Sequence, residues 1–214
     1  MFLNRLSFIL LSICIAGCDN ESKSTKNEID TLPTEIYEEA SALSGFNLSR
    51  DYIYWEVRRS YFTYNYSSEN EGEYEYGEEV LHQYDEAAYN NLTPLQIEML
   101  EGLNSVNGFD DDCPPDYCPI FGVALLSNEA VVIESKQSLL EFFGEIDTLA
   151  ELSRWILAND YSLKFYEETS YGYRVVADWD NDCGERGQDL IKVFKDGTIE
   201  KVEALSIEFY DTCA

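Results

Sequence analysis

The sequence predicts an α+β domain, a mostly antiparallel β-sheet with two or three short helices, stabilised by disulfides. Three observations carry the prediction. Segments rich in Tyr, Val, Ile and Phe alternate with turn signals from Asp51 onward, as half-buried strands do. Two capping boxes, Thr93 to Gln96 and Thr148 to Glu151, each open a short apolar-periodic stretch, the signature of a helix start. Four cysteines, Cys113, Cys118, Cys183 and Cys213, lie in the body of the chain, an even number that suits two cross-links. At 214 residues with 45% hydrophobic and 14% aromatic content, the chain can build one core, and disorder is not expected for most of it.

The elements follow in order. Residues 1–17, MFLNRLSFILLSICIAG, carry one cation, Arg5, and an apolar stretch from Leu6 to Ile15. That stretch is shorter than the ~20 residues needed to cross a bilayer core, so it reads as a secretory signal peptide. Ile15, Ala16 and Gly17 then precede Cys18, and small residues there let a peptidase hold the backbone without side-chain collision. This aliphatic–small–small–Cys sequence resembles the lipobox of bacterial lipoproteins, a resemblance confined to residues 1–18. It implies a thioether between the Cys18 thiol and a diacylglyceryl group, cleavage just before Cys18, and acylation of the new amino group. Two or three acyl chains hold a protein firmly, since each buried methylene contributes about 0.8 kcal/mol. An ordinary cleaved signal with a chance cysteine, or a short spanning anchor, fits less well with the polar run DNESKSTKN that follows at once. In the enteric version of the family, Asp after the acylated Cys retains the protein in the inner membrane, and Asp19 matches. The implied location is the bacterial cell envelope, lipid-anchored and facing the periplasm, with the outer membrane as the alternative leaflet.

Residues 18–45 are expected to form the acylated cysteine and a tether, and residues 46–214 the globular domain. The polar part of the tether, from 19 to about Pro33, spans roughly 22 Å as a flexible coil. TEIYEEASALSGF is ambiguous, with a short helix ending at Gly45 as one reading. DYIYWEVRRSYFTYNY reads as one long strand or a strand with a bulge, and the acidic, glycine-containing SSENEGEYEYGEE as an exposed turn or loop. The capping box at Thr93 has Pro94 at the first helical position and opens PLQIEMLEGLN. GFDDDCPPDYCP reads as a proline-stiffened loop, and VALLSNEAVVIES as a buried strand pair. SLLEFF is a helix ending at Gly144, and the Thr148 box opens another through Trp155 to Asn159. SLKFYEETSYGYRVVADW and LIKVFKDGTIEKV read as hairpins, the second turning at Lys195-Asp196-Gly197. In the last strand Leu205, Ile207 and Phe209 share one face, and Ser206, Glu208 and Tyr210 the other.

Charge narrows the function. Fourteen Lys+Arg against 42 Asp+Glu give a formal net charge of −28, and losing Arg5 with residues 1–17 would leave 13 cations against the same 42. Nucleic acid is excluded as a partner, because binding phosphates needs clustered cations. Besides the membrane reached through the lipid anchor, the expected partner is a protein, with a basic one favoured by complementarity. Such charge also serves simple solubility.

Candidate sites are few. Cys113 is expected to pair with Cys118 across Pro114 and Pro115, and Cys183 with Cys213, the longer bridge stabilising by roughly 3–4 kcal/mol; a four-cysteine zinc site is the rival reading. Asp178, Asp180, Asp182 and Asp189 stand at positions 1, 3, 5 and 12 of a loop resembling an EF-hand, which implies Ca2+, although position 6 is Cys183 and position 9 is Arg186. His82 is the only histidine, and its expected role is surface ion pairing with Glu79, Asp85 or Glu86 on a helix. Nine of the 16 tyrosines fall between Asp51 and Tyr89, which suits either sheet packing or an aromatic platform for glycan. No catalytic residue is assigned. A non-enzymatic binding protein is the leading reading, ahead of a calcium- or glycan-binding domain and of a carboxylate-dependent hydrolase.

Overall fold

The computed structural model describes residues 32–37, 45–65, 73–111, 118–181 and 184–209. In chain order the elements are β1 (Glu35–Ile36), β2 (Tyr54–Asn65), β3 (Glu73–Gln83), α1 (Glu86–Asn90), α2 (Pro94–Glu101), β4 (Asp110–Asp111), β5 (Pro119–Leu125), β6 (Ala130–Ile133), α3 (Lys136–Phe143), α4 (Leu149–Leu157), β7 (Ser162–Thr169), β8 (Gly172–Asp180), β9 (Glu185–Phe194) and β10 (Ile199–Phe209). Every strand pairing is antiparallel, so the α+β class holds, with two sheets and four short helices among the described residues. No helix among them is long and apolar enough to cross a membrane.

One sheet runs β1-β7-β8-β9-β10, and the other runs β3-β2-β5-β4 with β6 also paired to β5. β5 is the pivot of the second sheet. Its sequence PIFGVAL is apolar throughout, and all seven residues are buried, because both faces are covered. Ile120 and Ala124 face a core shared with the other sheet and with α3 and α4, while Phe121, Val123 and Leu125 face Tyr54 and Leu100 under α1 and α2. The same alternation runs through β2, where Trp55 and Val57 join the larger core and Tyr54 the smaller one. The larger core takes Leu139, Phe142 and Phe143 from α3, Leu152, Trp155 and Ile156 from α4, and Tyr173, Val175, Ala177, Ile191 and Val193 from the first sheet. Each fully buried Val, Leu, Ile or Phe among them contributes about 1.5–3 kcal/mol by leaving water.

Local chemistry sets the helix ends. Thr93 caps α2 and Thr148 caps α4 through the capping boxes the sequence contains, and Ser135 with Ser138 forms a third at α3. Gly144 ends α3 with φ +85°, a conformation that costs glycine nothing. α4 ends with Asp160 at φ 66° and a Tyr161 N–H to Ile156 C=O bond of 3.0 Å, the arrangement glycine usually serves. At the β9–β10 turn Gly197 has φ +82°, and its carbonyl accepts the Trp155 indole N–H at 2.9 Å.

Two expectations are corrected. Glu35 and Ile36 are extended and pair with Tyr166 and Phe165, so this part of TEIYEEASALSGF is an edge strand. Glu73–Gln83 is strand β3, where the acidic composition suggested a loop. β2 supplies the partner ladder as one long strand, the first of the two readings of DYIYWEVRRSYFTYNY, and the register shift opposite Val57–Arg58 leaves the extra residue, Leu81, on β3.

Candidate functional site

An open cleft of about 980 Å³ lies where three parts of the fold meet. Asp110 and Asp111 of β4 form one side, Leu157 and Asp160 at the end of α4 another, and the β7–β10 strand ends the third. Six carboxylates line it (Asp110, Asp111, Asp160, Asp178, Asp180 and Glu208) against two cations, Lys164 and Arg186.

Each carboxylate is placed by its element. Asp178 lies on β8 opposite Gln188 of β9, accepts the Gln188 amide at 2.8 Å, and pairs with Lys164 of β7 at 2.8 Å. Asp180 closes β8 opposite Arg186, which itself pairs with Glu208 of β10 at 2.9 Å. Asp110 meets Arg154 of α4 at 3.5 Å, and Asp111 accepts the Cys118 N–H at 2.7 Å, which fixes the approach to β5. Asp160 reaches Lys136 at 3.5 Å but is almost wholly solvated, and exposed pairs of this kind contribute little.

The carboxylates read as an EF-hand-like loop occupy a hairpin instead. β8 and β9 pair without interruption from Gly172↔Phe194 to Asp180↔Arg186. Asp189 stands opposite Ala177, one residue out of step with Asp178, so strand alternation puts Asp189 on the core side with Ala177 and Ile191, and Asp178 and Asp180 on the other. Asp189 is 1% exposed and bound to Lys201 at 2.7 Å, and it accepts the Tyr161 hydroxyl at 3.3 Å. Burial, then the Asp189 charge, raises the Tyr161 phenol above its ordinary pKa. Asp178 and Asp189 therefore do not share the cradle that their spacing suggests, and among the described residues no group of three or more His, Cys, Asp or Glu is disposed to hold a metal ion. Asp182, like Cys18, Cys113, Cys183 and Cys213, lies outside the described residues. Cys118 is buried just before β5.

His82 lies on β3, not on a helix, and packs its ring 5.3 Å from that of Trp55. Burial and the positive field of Arg154 hold its pKa below the ordinary value, so it is a neutral aromatic neighbour rather than an ion-pair partner.

No protein-family model matches the chain, and comparisons with curated proteins and with solved structures find no match. Sequence reasoning missed the cleft as a unit, because its carboxylates come from β4, the end of α4, β8 and β10, which only the fold brings together.

Proposed function

We propose that the chain is a membrane-anchored lipoprotein of the bacterial cell envelope whose acidic α+β domain binds a protein partner through a cationic segment of that partner, without catalysis. The observation that supports this reading is the cleft with six carboxylates and two cations, on a chain of formal net charge −28. A groove of one sign concentrates field and speeds the encounter with the opposite sign. Its openness suits a side-chain-bearing segment better than a small substrate, which a site normally encloses. In the same proposal Cys18 is the acylated residue, Asp19 favours the inner membrane with the domain in the periplasm, and Cys113–Cys118 and Cys183–Cys213 are the disulfides.

Pull-down from envelope extracts at low and high salt tests the binding reading. Raising ionic strength shortens the screening length to about 3 Å near 1 M. A partner retained at low salt, released at high salt and lost to a chain carrying Asp160→Asn with Asp180→Asn supports the reading. Retention that ignores both salt and these substitutions overturns it.

A further inference from the structure

A second concavity of about 380 Å³ lies where the segment from Gly45 to Tyr52 meets the start of β2 and the end of β3. Its wall is aromatic and fixed from within. Trp55, 4% exposed, is flanked by Phe46 at 5.2 Å and by Tyr84 at 5.7 Å with planes 29° apart. Phe46 in turn packs on Phe143, and Trp55 meets Phe142 edge-on. The Phe46 segment is tied down by the next residue, whose N–H donates to the buried Glu151 carboxylate at the head of α4. Tyr84 is nonetheless 54% exposed, so one wall of the recess offers an open aromatic ring on a rigid backing.

Polar groups at the same recess are unused. Arg50 and Asp51 stand at its rim, His82 lines it, and among the described residues none of the three makes a side-chain hydrogen bond or ion pair. In a chain with three carboxylates for every cation, an arginine left without one is a selective feature.

We infer that this recess binds a neutral saccharide of one or two rings, with Tyr84 as the stacking platform and Arg50, Asp51 and His82 reading the hydroxyls. The C–H face of a pyranose is weakly positive and complements the negative face of an aromatic ring. Neighbouring hydroxyls donate to a carboxylate and accept from a guanidinium at once, which satisfies both rim charges with an uncharged ligand. A purely apolar ligand would leave those groups without partners. A cation would meet Arg50, and an anion would meet Asp51 and the charge of the whole chain. Neutral His82 adds one donor and one acceptor. The volume is at the lower end of the ~300–1,000 Å³ of small-ligand sites. This inference does not depend on the acidic cleft or on its partner.

Calorimetric and saturation-transfer titrations of the full chain with cellobiose and N,N′-diacetylchitobiose test it, with the dipeptide glycyl-phenylalanine as a zwitterionic rival. Binding of at least one disaccharide in the millimolar range or tighter is expected. Tyr84→Ala should weaken it by roughly tenfold, since stacking is worth about 1 kcal/mol or more and 1.4 kcal/mol is tenfold. Asp51→Asn should weaken it severalfold, and Asp160→Asn in the distant cleft should leave it unchanged. Tyr84 and Asp51 are exposed, so both variants are expected to fold, and far-UV circular dichroism checks it. No saturation transfer from either disaccharide at about 10 mM, binding indifferent to Tyr84→Ala, or capture of the dipeptide alone overturns the inference.

Discussion

Replacing Arg58 with methionine should cost more stability than replacing Arg58 and Glu56 together. Arg58 is 7% exposed on β2, on the α2 side of the sheet. Its Nε meets Glu56 at 2.6 Å, its Nη1 donates to the Leu103 carbonyl at 2.7 Å, and its Nη2 donates to the Leu100 carbonyl at 3.1 Å. The guanidinium thus serves the Leu103 carbonyl just past α2 and adds a second donor to the Leu100 carbonyl, which already takes the Leu103 N–H at 3.1 Å, and it also reaches Glu78 of β3 at 3.4 Å. Glu56, 3% exposed, takes the Tyr54 hydroxyl on its other oxygen, and burial followed by that bond drives the Tyr54 phenol far above its ordinary pKa. Arg58→Met keeps the apolar stem, deletes every polar contact and leaves a buried carboxylate without its cation. Breaking a buried pair from one side costs about 3–5 kcal/mol, which for a unit of this size lowers Tm by roughly 6–20 °C. In Glu56→Leu with Arg58→Met no fully buried charge is left unpaired, since Glu78, which also loses the guanidinium, is partly exposed. What remains is the Tyr54 hydroxyl and the Leu103 carbonyl, each costing about 1–3 kcal/mol unless water reaches it, while the Leu100 carbonyl keeps its backbone donor, so the double variant should be the more stable of the two. Thermal and guanidinium unfolding followed by circular dichroism measure the parent, the single variants Arg58→Met and Glu56→Leu, and the double variant. A single variant within about 2 °C of the parent, or a double variant whose loss equals the sum of the two singles, would refute the coupling argument.

Two further outcomes follow from other parts of the fold. Because His82 holds its proton less well folded than unfolded, its contribution is complete above the unfolded value near 6.5 and is lost as pH falls through that value toward the folded one. The Tm difference between His82→Gln and the parent should therefore move in the variant's favour between about pH 7.5 and pH 5, and a constant difference contradicts the assignment. Gly197→Ala should lower Tm by about 2–8 °C, because a Cβ at φ +82° carries a left-handed penalty of about 1–2 kcal/mol and would stand 2.9 Å from Leu140 and 3.1 Å from Trp155. Near-UV circular dichroism should register the displaced indole, and an unshifted melt would show that the turn relaxes freely.

What the sequence makes legible is what is decided locally. The Thr93 and Thr148 boxes close over three residues, and the Lys195-Asp196-Gly197 turn within three, so each could be read without knowing the fold. β3 could not, since EGEYEYGEE has the glycines and charge of a loop and becomes a strand only because β2 lies beside it. Glu35–Ile36 fails for the same reason, with β7 as the distant partner. At the candidate sites, a spacing of 1, 3, 5 and 12 is a ring of ligands in a loop but a zigzag across two faces in a hairpin, and that difference moved Asp189 away from Asp178. The aromatic recess joins Phe46 to Tyr84 across β2, although the Tyr- and Trp-rich interval from Asp51 to Tyr89 contains most of its wall.

The first sheet ends in β10, whose outer backbone has no strand partner among the described residues. Ile207 and Phe209 stand exposed there, beside Glu200, Glu203 and Glu208. Two register shifts along β9–β10 bend the strand away from a flat template. Acidity thus guards each molecule against its own copies: a bare strand tipped with apolar rings invites pairing with a second chain, and like charge along that margin keeps the two apart. Neutralising those glutamates by acid, or masking them with salt, removes the guard, so clouding at high salt, where the buried pairs are little screened, would be an event of the sheet's rim rather than of its core.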